Sequence, residues 1–338
     1  MDSVFQFPSM DAGETGAGAW MGSSARRPNI LVTEPAYFQT VLRRLGKVGR
    51  VTIGAPDRGR LRRELPLADI VVIRVETILD RQLIRSAPRL KLIASATTGV
   101  DHIDLEDARN QQIRVVHLHG THTRPTAEHT LALLFCLARN IHLAHHHLTA
   151  GGWDRNRFIG GQIAGKTLGI VGLGRIGMTV ARLLRNLGMR VLAYDPYVRS
   201  PGNSGAKIVK HLPDLVQDSD VLSIHAALTR ETTHLINARL LRLARPTAFL
   251  VNTARGKILA ETDLIRALCR RWIAGAAIDV FDPEPLPHRH PIRRYARRPT
   301  GSPLLLTPHL GASTREAVAD AATDMAAAVE SFCARHWD

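Results

Sequence analysis

Four side chains that could carry out proton and hydride chemistry lie at the predicted ends of strands in the second half of the chain: Arg255, Asp279, Glu284 and His309. Arginine presents a planar fork that fits a carboxylate, histidine exchanges protons near neutral pH, and a neighbouring carboxylate orients the histidine and stabilises its charged form. Taken singly, each could equally pair with a surface charge or cap a loop. Beside a nicotinamide, they would form a site suited to hydride transfer to a 2-keto acid.

A glycine-rich turn earlier in the chain predicts where such a cofactor binds. Thr167–Val171 is a short apolar run, Gly172, Gly174 and Gly177 follow with the spacing G-x-G-x-x-G, and Met178–Leu187 has helical periodicity. The first glycine permits a tight turn, the second lets the backbone approach a pyrophosphate, and the third allows the helix to pack closely on the strand. The positive end of that helix faces the phosphates.

An acidic residue at the end of the next predicted strand indicates which nucleotide is bound. Asp195 lies eighteen residues beyond Gly177 and follows the predicted strand Met189–Tyr194. A carboxylate at this position can accept hydrogen bonds from the adenosine ribose hydroxyls and would repel a 2′-phosphate. We therefore expect NAD, not NADP, as the cofactor.

Length and composition indicate a globular chain with two domains. It has 338 residues, of which 45% are hydrophobic, and no uncharged run reaches membrane-spanning length. Residues 1–26 are rich in Gly, Ser and Ala and lack the features of a signal peptide, so we expect a disordered leader. Three widely spaced cysteines, Cys136, Cys269 and Cys333, favour free thiols in a reducing cytoplasm.

The net charge of +15 comes mainly from arginine, since only six of the 45 basic residues are lysines. Such a charge could attract nucleic acid, a membrane surface or an anionic substrate. Because the arginines are scattered and no nucleic-acid-binding motif is visible, we expect a compositional bias and no nucleic-acid partner. The densest basic segment, His288–Arg298, has loop composition and could contact an acidic partner, but a solvated loop is the expected state.

Predicted strands and helices alternate along the chain, which indicates parallel sheets covered on both faces. The predicted strands outside the glycine motif are 29–33, 48–53, 69–74, 91–96 and 113–117 in the first half and 221–225, 247–252, 275–279 and 304–307 in the second. One long helix is predicted from Pro125 to about Thr149, either linking the halves or packing against a second subunit. His142, His145, His146 and His147 near its end could hold a metal, but no Cys or carboxylate accompanies them, so we expect a solvated cluster.

In its ordered motifs the sequence resembles the D-isomer-specific 2-hydroxyacid dehydrogenases, which include phosphoglycerate dehydrogenase and the glyoxylate/hydroxypyruvate reductases. The resemblance runs from about Asn29 to the C-terminus. It rests on the motifs Thr98–Asp104, Pro125–Glu128, Gly172–Gly177, Asn252–Gly256, Asp279–Phe281 with Glu284–Pro285, and Thr307–His309.

The resemblance implies two Rossmann-like α/β domains with parallel sheets and an active-site cleft between them. A flavodoxin-like substrate domain would comprise residues 27–121 and 312–338, and an NAD-binding Rossmann domain, residues 122–311, would be inserted in it. The region after Pro125 would form a homodimer contact. No membrane association is expected.

Carried over residue by residue, the resemblance gives Arg255 the role of binding the substrate carboxylate and polarising the C2 carbonyl, His309 that of acid/base, and Glu284 that of its partner. The implied cofactor-binding residues are Gly172, Gly174, Arg175, Ile176, Gly177, Asp195, His225, Thr229, Thr253, Ala254, Asp279 and Gly311. The implied substrate-binding residues are Arg74, Val75, Thr98, Gly99 and Val100. Asp279 would meet the nicotinamide amide.

Some positions depart from the family pattern. Ala227 replaces a proline in His225–Thr229, which predicts a less rigid loop beside the cofactor. Glu76 stands where some phosphoglycerate dehydrogenases carry a second arginine, so it would repel a substrate phosphate. Formate dehydrogenases share the fold but typically place glutamine beside the histidine, so Glu284 favours a hydroxy acid.

A second hypothesis from another class is an NAD(H)-sensing, corepressor-like protein on the same fold.

Overall fold

Two parallel β-sheets organise the computed structural model, which describes residues 26–298 and 302–337. The chain divides into two compact units. The first contains the described residues up to His122 together with those from Thr314 onward, and the second contains Thr123–Ser313. The predicted leader lies outside the described residues except for Arg26.

The first unit is built on a five-stranded parallel sheet. Its strands are β1 (Asn29–Val32), β2 (Arg50–Ile53), β3 (Ile70–Ile73), β4 (Leu92–Ser95) and β5 (Arg114–His117). Their order is β2-β1-β3-β4-β5, the flavodoxin-like arrangement. The helices that follow in the chain are α1 (Pro35–Phe38), α2 (Leu42–Val48), α3 (Arg58–Glu64), α4 (Arg81–Arg85) and α5 (Leu105–Asn110).

Buried aliphatic runs explain why these segments are strands. Every residue of β3 and β4 is buried, as expected of parallel strands with helices on both faces. Aspartates begin three of the helices by accepting a backbone N–H: Asp57 from Arg60, Asp80 from Leu83 and Asp104 from Asp107. The apolar face of the C-terminal helix, which includes Met325 and Phe332, packs on one side of this sheet.

The second unit has a seven-stranded parallel sheet in the order β12-β11-β10-β9-β6-β7-β8. These strands are β6 (Thr167–Val171), β7 (Arg190–Tyr194), β8 (Lys207–Ile208), β9 (Val221–Ile224), β10 (Phe249–Asn252), β11 (Gly275–Ile278) and β12 (Leu304–Leu306). The helices are α6 (Thr123–Ala138), α7 (Ile141–Thr149), α8 (Arg175–Asn186), α9 (Leu212–Asp218), α10 (Ala238–Leu241), α11 (Glu261–Cys269), α12 (Pro291–Ala296) and, in the first unit, α13 (Arg315–His336).

The strand order reverses beside β6, whose neighbours are β9 and β7. This is the arrangement of a Rossmann sheet, and ligands of such sheets bind at the carboxyl ends of the strands where the order reverses. The predicted fold class, two parallel-sheet α/β domains of flavodoxin-like and Rossmann type, is confirmed. No helix in the described ranges is both long and apolar enough to cross a membrane.

Two local predictions were wrong, and one short strand was missed. The single helix predicted from Pro125 to Thr149 is two helices, because Asn140 adopts a left-handed conformation (φ 52°) between α6 and α7. The segment 288–298 is not simply a loop: Pro291 begins the short helix α12, which buries Ile292 and Tyr295. The two-residue strand β8 was not predicted.

Candidate functional site

The turn after β6 has the geometry of a dinucleotide cradle. Gly172 has a φ of 92°, which an L side chain rarely adopts. Gly177 lies so close to the turn that a Cβ added to it would be 2.2 Å from the Gly172 carbonyl oxygen, whereas a Cβ on Gly174 would have no heavy atom within 4 Å. Helix α8 begins directly after Gly174. The open face at Gly174 and the helix start fit a pyrophosphate.

The Asp195 carboxylate joins the ends of two adjacent strands. Its Oδ2 accepts a hydrogen bond from the Leu173 N–H at 2.9 Å, and its Oδ1 accepts one from the Tyr197 N–H at 2.9 Å. Each carboxylate oxygen has a further lone pair for a ribose hydroxyl. The Tyr197 hydroxyl donates to Glu231 at 2.7 Å, which adds a second negative charge on this side. These acids fit a ribose diol and disfavour a 2′-phosphate.

The expected cofactor-binding residues His225 and Thr253 directly follow β9 and β10. Thr253 is buried, and its hydroxyl lies 2.9 Å from that of Thr130 on α6. The loop that starts at His225 is closed by Thr232, whose hydroxyl donates to the Ala227 carbonyl and whose Oγ1 accepts from the Thr229 N–H, both at 2.7 Å. These bonds hold the loop in which alanine replaces the family's proline.

His225 is neutral over most of the pH range. Its Nε2 lies 2.8 Å from the Ser223 hydroxyl, while its buried Nδ1 has no hydrogen-bond partner. Burial lowers the pKa of His225 from 6.5 to about 3. Below pH 6.5, His225 is therefore protonated in the unfolded chain but stays neutral in the folded chain. The contribution of neutral His225 to the free energy of unfolding is complete above pH 6.5 and is lost as the pH falls toward 3.

This imbalance predicts a steep loss of stability in acid. The free energy of unfolding should fall between pH 7 and pH 4. His225 should account for on the order of 2–4 kcal/mol of this decrease. His225→Gln should flatten the dependence of Tm on pH, and His288→Gln, at an exposed position, should not. Thermal unfolding at half-unit pH steps measures both slopes. Equal slopes for wild type and His225→Gln would contradict the assignment.

The histidine–carboxylate pair predicted from sequence is present. His309 Nδ1 lies 2.7 Å from Glu284 Oε2, and both side chains are 29% exposed. The other oxygen, Glu284 Oε1, accepts a hydrogen bond from the Phe281 N–H at 2.8 Å, which fixes the carboxylate plane. A carboxylate at Nδ1 stabilises a protonated ring and leaves Nε2 as the nitrogen that can exchange a proton.

The turn that carries His309 is organised by the buried carboxylate of Asp279. Asp279 Oδ1 accepts from the Thr307 hydroxyl (2.5 Å), the Leu310 N–H (2.8 Å) and His129 Nε2 (3.2 Å), and Oδ2 accepts from the Gly311 N–H (2.9 Å). Burial alone would raise the pKa of Asp279, but these hydrogen bonds outweigh it and hold that pKa below its usual range.

The backbone of His309 is also held. Its N–H donates to the Asp279 carbonyl at 2.7 Å, and its φ is 54°, in the left-handed region. A positive φ at a non-glycine residue persists only where its surroundings impose it. The hydrogen bonds to Asp279 therefore set the direction in which the histidine projects.

Arg255 lies in a loop that packs against the Glu284 segment. The Asn252 side chain holds the loop by accepting from the Ala254 N–H at 3.0 Å and donating to the Arg255 carbonyl at 3.1 Å. Gly256 approaches the Phe281 backbone so closely that an added Cβ would lie 2.1 Å from the Phe281 carbonyl carbon. The strand ends β10, β11 and β12 thus bring Arg255, Glu284 and His309 to one edge of the sheet.

The expected substrate-binding residues lie at the carboxyl ends of β3 and β4 in the first unit. The Arg74 guanidinium stacks over the Tyr37 ring, with its carbon 3.2 Å from the ring centroid, and the Arg74 N–H donates to the buried Glu34 at 2.9 Å. Burial raises the pKa of Glu34. Thr98 is exposed, and its hydroxyl lies 3.4 Å from His122 Nδ1. Val75, Gly99 and Val100 are half-buried.

Several residues that support the site were not identified from the sequence. His129 and Thr307 contact Asp279, and Thr130 contacts Thr253. Thr307 stands in the Thr307–His309 motif, but nothing in that motif indicates its partner. No cluster of three potential metal-binding side chains occurs within residues 26–298 and 302–337.

Comparison with known proteins agrees with the geometry. Residues 131–311, more than half of the chain, match the family model "D-isomer specific 2-hydroxyacid dehydrogenase, NAD binding domain". The chain is 37% identical over 268 residues to a glyoxylate reductase of Thermofilum pendens, covering 78% of this chain and 77% of that one. It is 37% identical over 300 residues to a D-3-phosphoglycerate dehydrogenase of Methanocaldococcus jannaschii, covering 88% of this chain but only 56% of the relative.

Solved structures show the same architecture. The D-lactate dehydrogenase of Aquifex aeolicus, complexed with NAD and lactic acid, superposes with a TM-score of 0.82 at 28% identity, covering 90% of this chain and 95% of that one. The NAD-dependent formate dehydrogenase of Staphylococcus aureus, complexed with NAD, gives a TM-score of 0.81 at 30% identity, covering 90% and 95%.

The fold and the dinucleotide cradle define an oxidoreductase that uses NAD. More specifically, the chain belongs to the D-isomer-specific 2-hydroxyacid dehydrogenase family. The predicted family, enzyme class and cofactor are therefore confirmed. The chain spans about half the length of the phosphoglycerate dehydrogenases that it matches, from 46% to 56%.

Proposed function

We propose that this protein interconverts a 2-keto acid and a D-2-hydroxy acid, with His309 as the acid/base and Glu284 as its partner. The observation that carries the proposal is the 2.7 Å contact between His309 Nδ1 and Glu284 Oε2. When bound, NADH supplies the hydride that adds to C2 of the keto acid. Protonated His309 gives its Nε2 proton to the carbonyl oxygen during reduction, and neutral His309 takes it back during oxidation.

Arg255 binds the substrate in this proposal. Its guanidinium fork pairs with the carboxylate and polarises the C2 carbonyl, because planar bidentate contacts suit arginine. The first unit is the substrate-binding domain and contributes Arg74, Val75 and the 98–100 loop. The second unit holds the cofactor through Gly172–Gly177, Asp195, His225, Thr229, Thr253, Ala254, Asp279 and Gly311.

We infer that the substrate carries no phosphate. The loop after β3 includes the exposed Glu76, and the buried Glu34 lies near enough for the charge of Glu76 to raise its pKa. The charge of the exposed Glu76, two residues after Arg74, disfavours an added dianion. Glyoxylate and hydroxypyruvate are therefore expected to be better substrates than phosphohydroxypyruvate.

The oxidation of NADH with a panel of 2-keto acids tests the function. The panel comprises glyoxylate, hydroxypyruvate, phosphohydroxypyruvate, pyruvate and branched and aromatic keto acids, each assayed also with NADPH. Turnover of one unphosphorylated acid with NADH is the expected result. If the protein binds NADH but turns over none of them, the NAD(H)-sensing, corepressor-like hypothesis becomes the better one.

Replacing Asp195 should weaken the preference for NADH. Asp195→Ala removes a charged acceptor, and each hydrogen bond to a charged group is worth about 1.5–3 kcal/mol, so the KM for NADH should rise about 10- to 100-fold. The KM for NADPH should change less, because the repulsion of its phosphate is also removed. Steady-state kinetics with both cofactors measures the ratio, and Asp218→Ala, at an exposed acid of the same unit, is the control. An unchanged ratio would exclude Asp195 as the selector.

The region after Pro125 is proposed to form the homodimer contact. Helix α7 and the segment after it expose large apolar side chains: Ile141 (52%), Leu148 (54%), Trp153 (86%) and Ile159 (77%). Ile141 and Leu148 are seven residues apart and therefore share one helix face. Exposed apolar groups gathered in this way are typical of association surfaces.

Leu148→Asp should therefore convert the dimer into a monomer. A buried, unpaired carboxylate is costly enough to disrupt an apolar interface. Light scattering after size exclusion distinguishes one from two copies of the 37.2-kDa chain. His146→Asp places the same charge elsewhere on α7 and should leave the dimer intact. A monomeric wild type would refute the contact.

A further inference from the structure

A second acid–histidine pair lies at the base of the loop that carries Glu284. Glu261, the first residue of α11, accepts a hydrogen bond from the Asp282 N–H through Oε1 at 3.2 Å. Its Oε2 lies 3.4 Å from His290 Nε2. His290 caps the start of α12 and accepts from the Ile292 N–H through Nδ1 at 3.4 Å, so the ring proton of neutral His290 is on Nε2, the nitrogen nearer to Glu261.

The Glu261 carboxylate is buried and has few partners. Its side chain is 10% exposed, and Oε2 is without a hydrogen bond in the described structure. Burial raises the pKa of Glu261 to about 7, and the charges of Asp282 and Glu284 add to this effect, although the Asp282 N–H opposes it. Two further titratable groups lie close by: His290 contacts the Glu261 carboxylate, and the Lys257 ammonium is 3.9 Å from the Asp282 carboxylate.

The contact at Asp282 reaches the proposed acid/base histidine through the backbone. Glu284 Oε1 accepts from the Phe281 N–H at 2.8 Å, and Glu261 Oε1 accepts from the Asp282 N–H, so the two carboxylates hold two consecutive backbone amides. Glu284 Oε2 then contacts His309 at 2.7 Å. Because the two amides are adjacent in the chain, a shift of the Asp282 amide also moves the Phe281 N–H that orients Glu284.

We infer that Glu261 is a positioning residue for the reaction: it fixes the Phe281–Glu284 turn in the pose in which Glu284 contacts His309. The inference rests on the proposed roles of Glu284 and His309. Glu261 touches neither substrate nor cofactor in this scheme. Its carboxylate accepts a hydrogen bond from the Asp282 N–H, and its other oxygen contacts His290 at the start of α12.

Comparing Glu261→Ala with Glu261→Gln tests the acceptor role. Alanine removes the acceptor, so kcat should fall about tenfold, and the alkaline limb of the pH profile of kcat/KM should move to lower pH. Glutamine keeps an oxygen at Oε1 and should restore most of kcat. NADH affinity, measured by fluorescence, should stay unchanged in both. Asp214→Ala replaces an exposed acid in the first turn of α9 and should match wild type.

A measurement on the protein without cofactor separates this inference from the proposed function. The titration of the His309 ring, followed by ¹⁵N NMR, should move to lower pH in Glu261→Ala and remain near wild type in Glu261→Gln. If His309→Asn is inactive while Glu261→Ala keeps the wild-type kcat and His309 titration, only the positioning role fails. Equal losses in the Ala and Gln variants would also overturn it. If His309→Asn stays active, the proposed function itself fails.

Discussion

His309→Asn should reduce kcat by about 10²- to 10⁴-fold, the usual contribution of a general acid/base. Asparagine cannot exchange a proton at neutral pH. It is nevertheless the substitution best suited to this position, because His309 has a φ of 54° and asparagine is among the residues that tolerate the left-handed region. The turn held by Asp279 should therefore survive. Turnover of the best keto acid, measured with saturating NADH, gives the loss.

The binding of NADH separates a chemical defect from a folding defect. The His309→Asn variant should bind NADH like wild type and keep its Tm, because His309 lies outside the glycine turn. His211→Asn changes an exposed histidine at the start of α9 and should leave turnover intact. Glu284→Gln should also lose activity, because a neutral amide replaces the carboxylate that contacts His309 Nδ1. Turnover by His309→Asn near the wild-type rate would exclude this histidine as the acid/base.

Gly177→Ala should destabilise the second unit and abolish NADH binding. The added Cβ would lie 2.2 Å from the Gly172 carbonyl oxygen, which is backbone and cannot move without displacing helix α8 from strand β6. Overpacking of this kind costs about 1–3 kcal/mol, and a rigid backbone contact places the change at the upper end. Denaturant unfolding and NADH titration measure the two effects.

Gly174→Ala is the matched comparison within the same motif. A Cβ at this position meets no heavy atom within 4 Å, and the backbone is extended (φ −75°). Stability should therefore change by less than about 1 kcal/mol, because alanine is only a poorer start for α8. NADH affinity should still fall at least about tenfold, since the methyl group stands where the pyrophosphate approaches. Normal NADH binding by Gly174→Ala would contradict the location of the phosphates.

The strands could be predicted closely because each is a short apolar run buried on both faces. Predicted strand 221–225 is observed as Val221–Ile224, and 275–279 as Gly275–Ile278. The helix after Pro125 could not be divided correctly, because its apolar periodicity continues across the break and only the tolerance of Asn140 for a left-handed φ permits it. Helix α12 had a usable signal, Pro291 in its first turn, but the basic composition suggested a loop.

The site was predictable where chemistry depends on residue type and strand order. Arg255, Glu284 and His309 follow neighbouring strands of a parallel sheet, so topology alone brings them to one edge. The donors around Asp279 were not predictable, because His129 is 150 residues away in sequence and its approach depends on how α6 packs. Glu261 was missed for a similar reason: its importance lies in one backbone amide of a loop whose path the sequence does not specify.

The buried charge of Asp279 ties assembly of the active site to folding of the sheet edge. Asp279 is 0% exposed, and three of its four donors come from the turn after β12. An ionised carboxylate left without such donors in the interior costs several kcal/mol. A form in which β12 is detached while the rest of the sheet is intact is therefore strongly disfavoured. The last strand and the histidine turn should form together, so that partly folded copies with an exposed, misdirected His309 are rare.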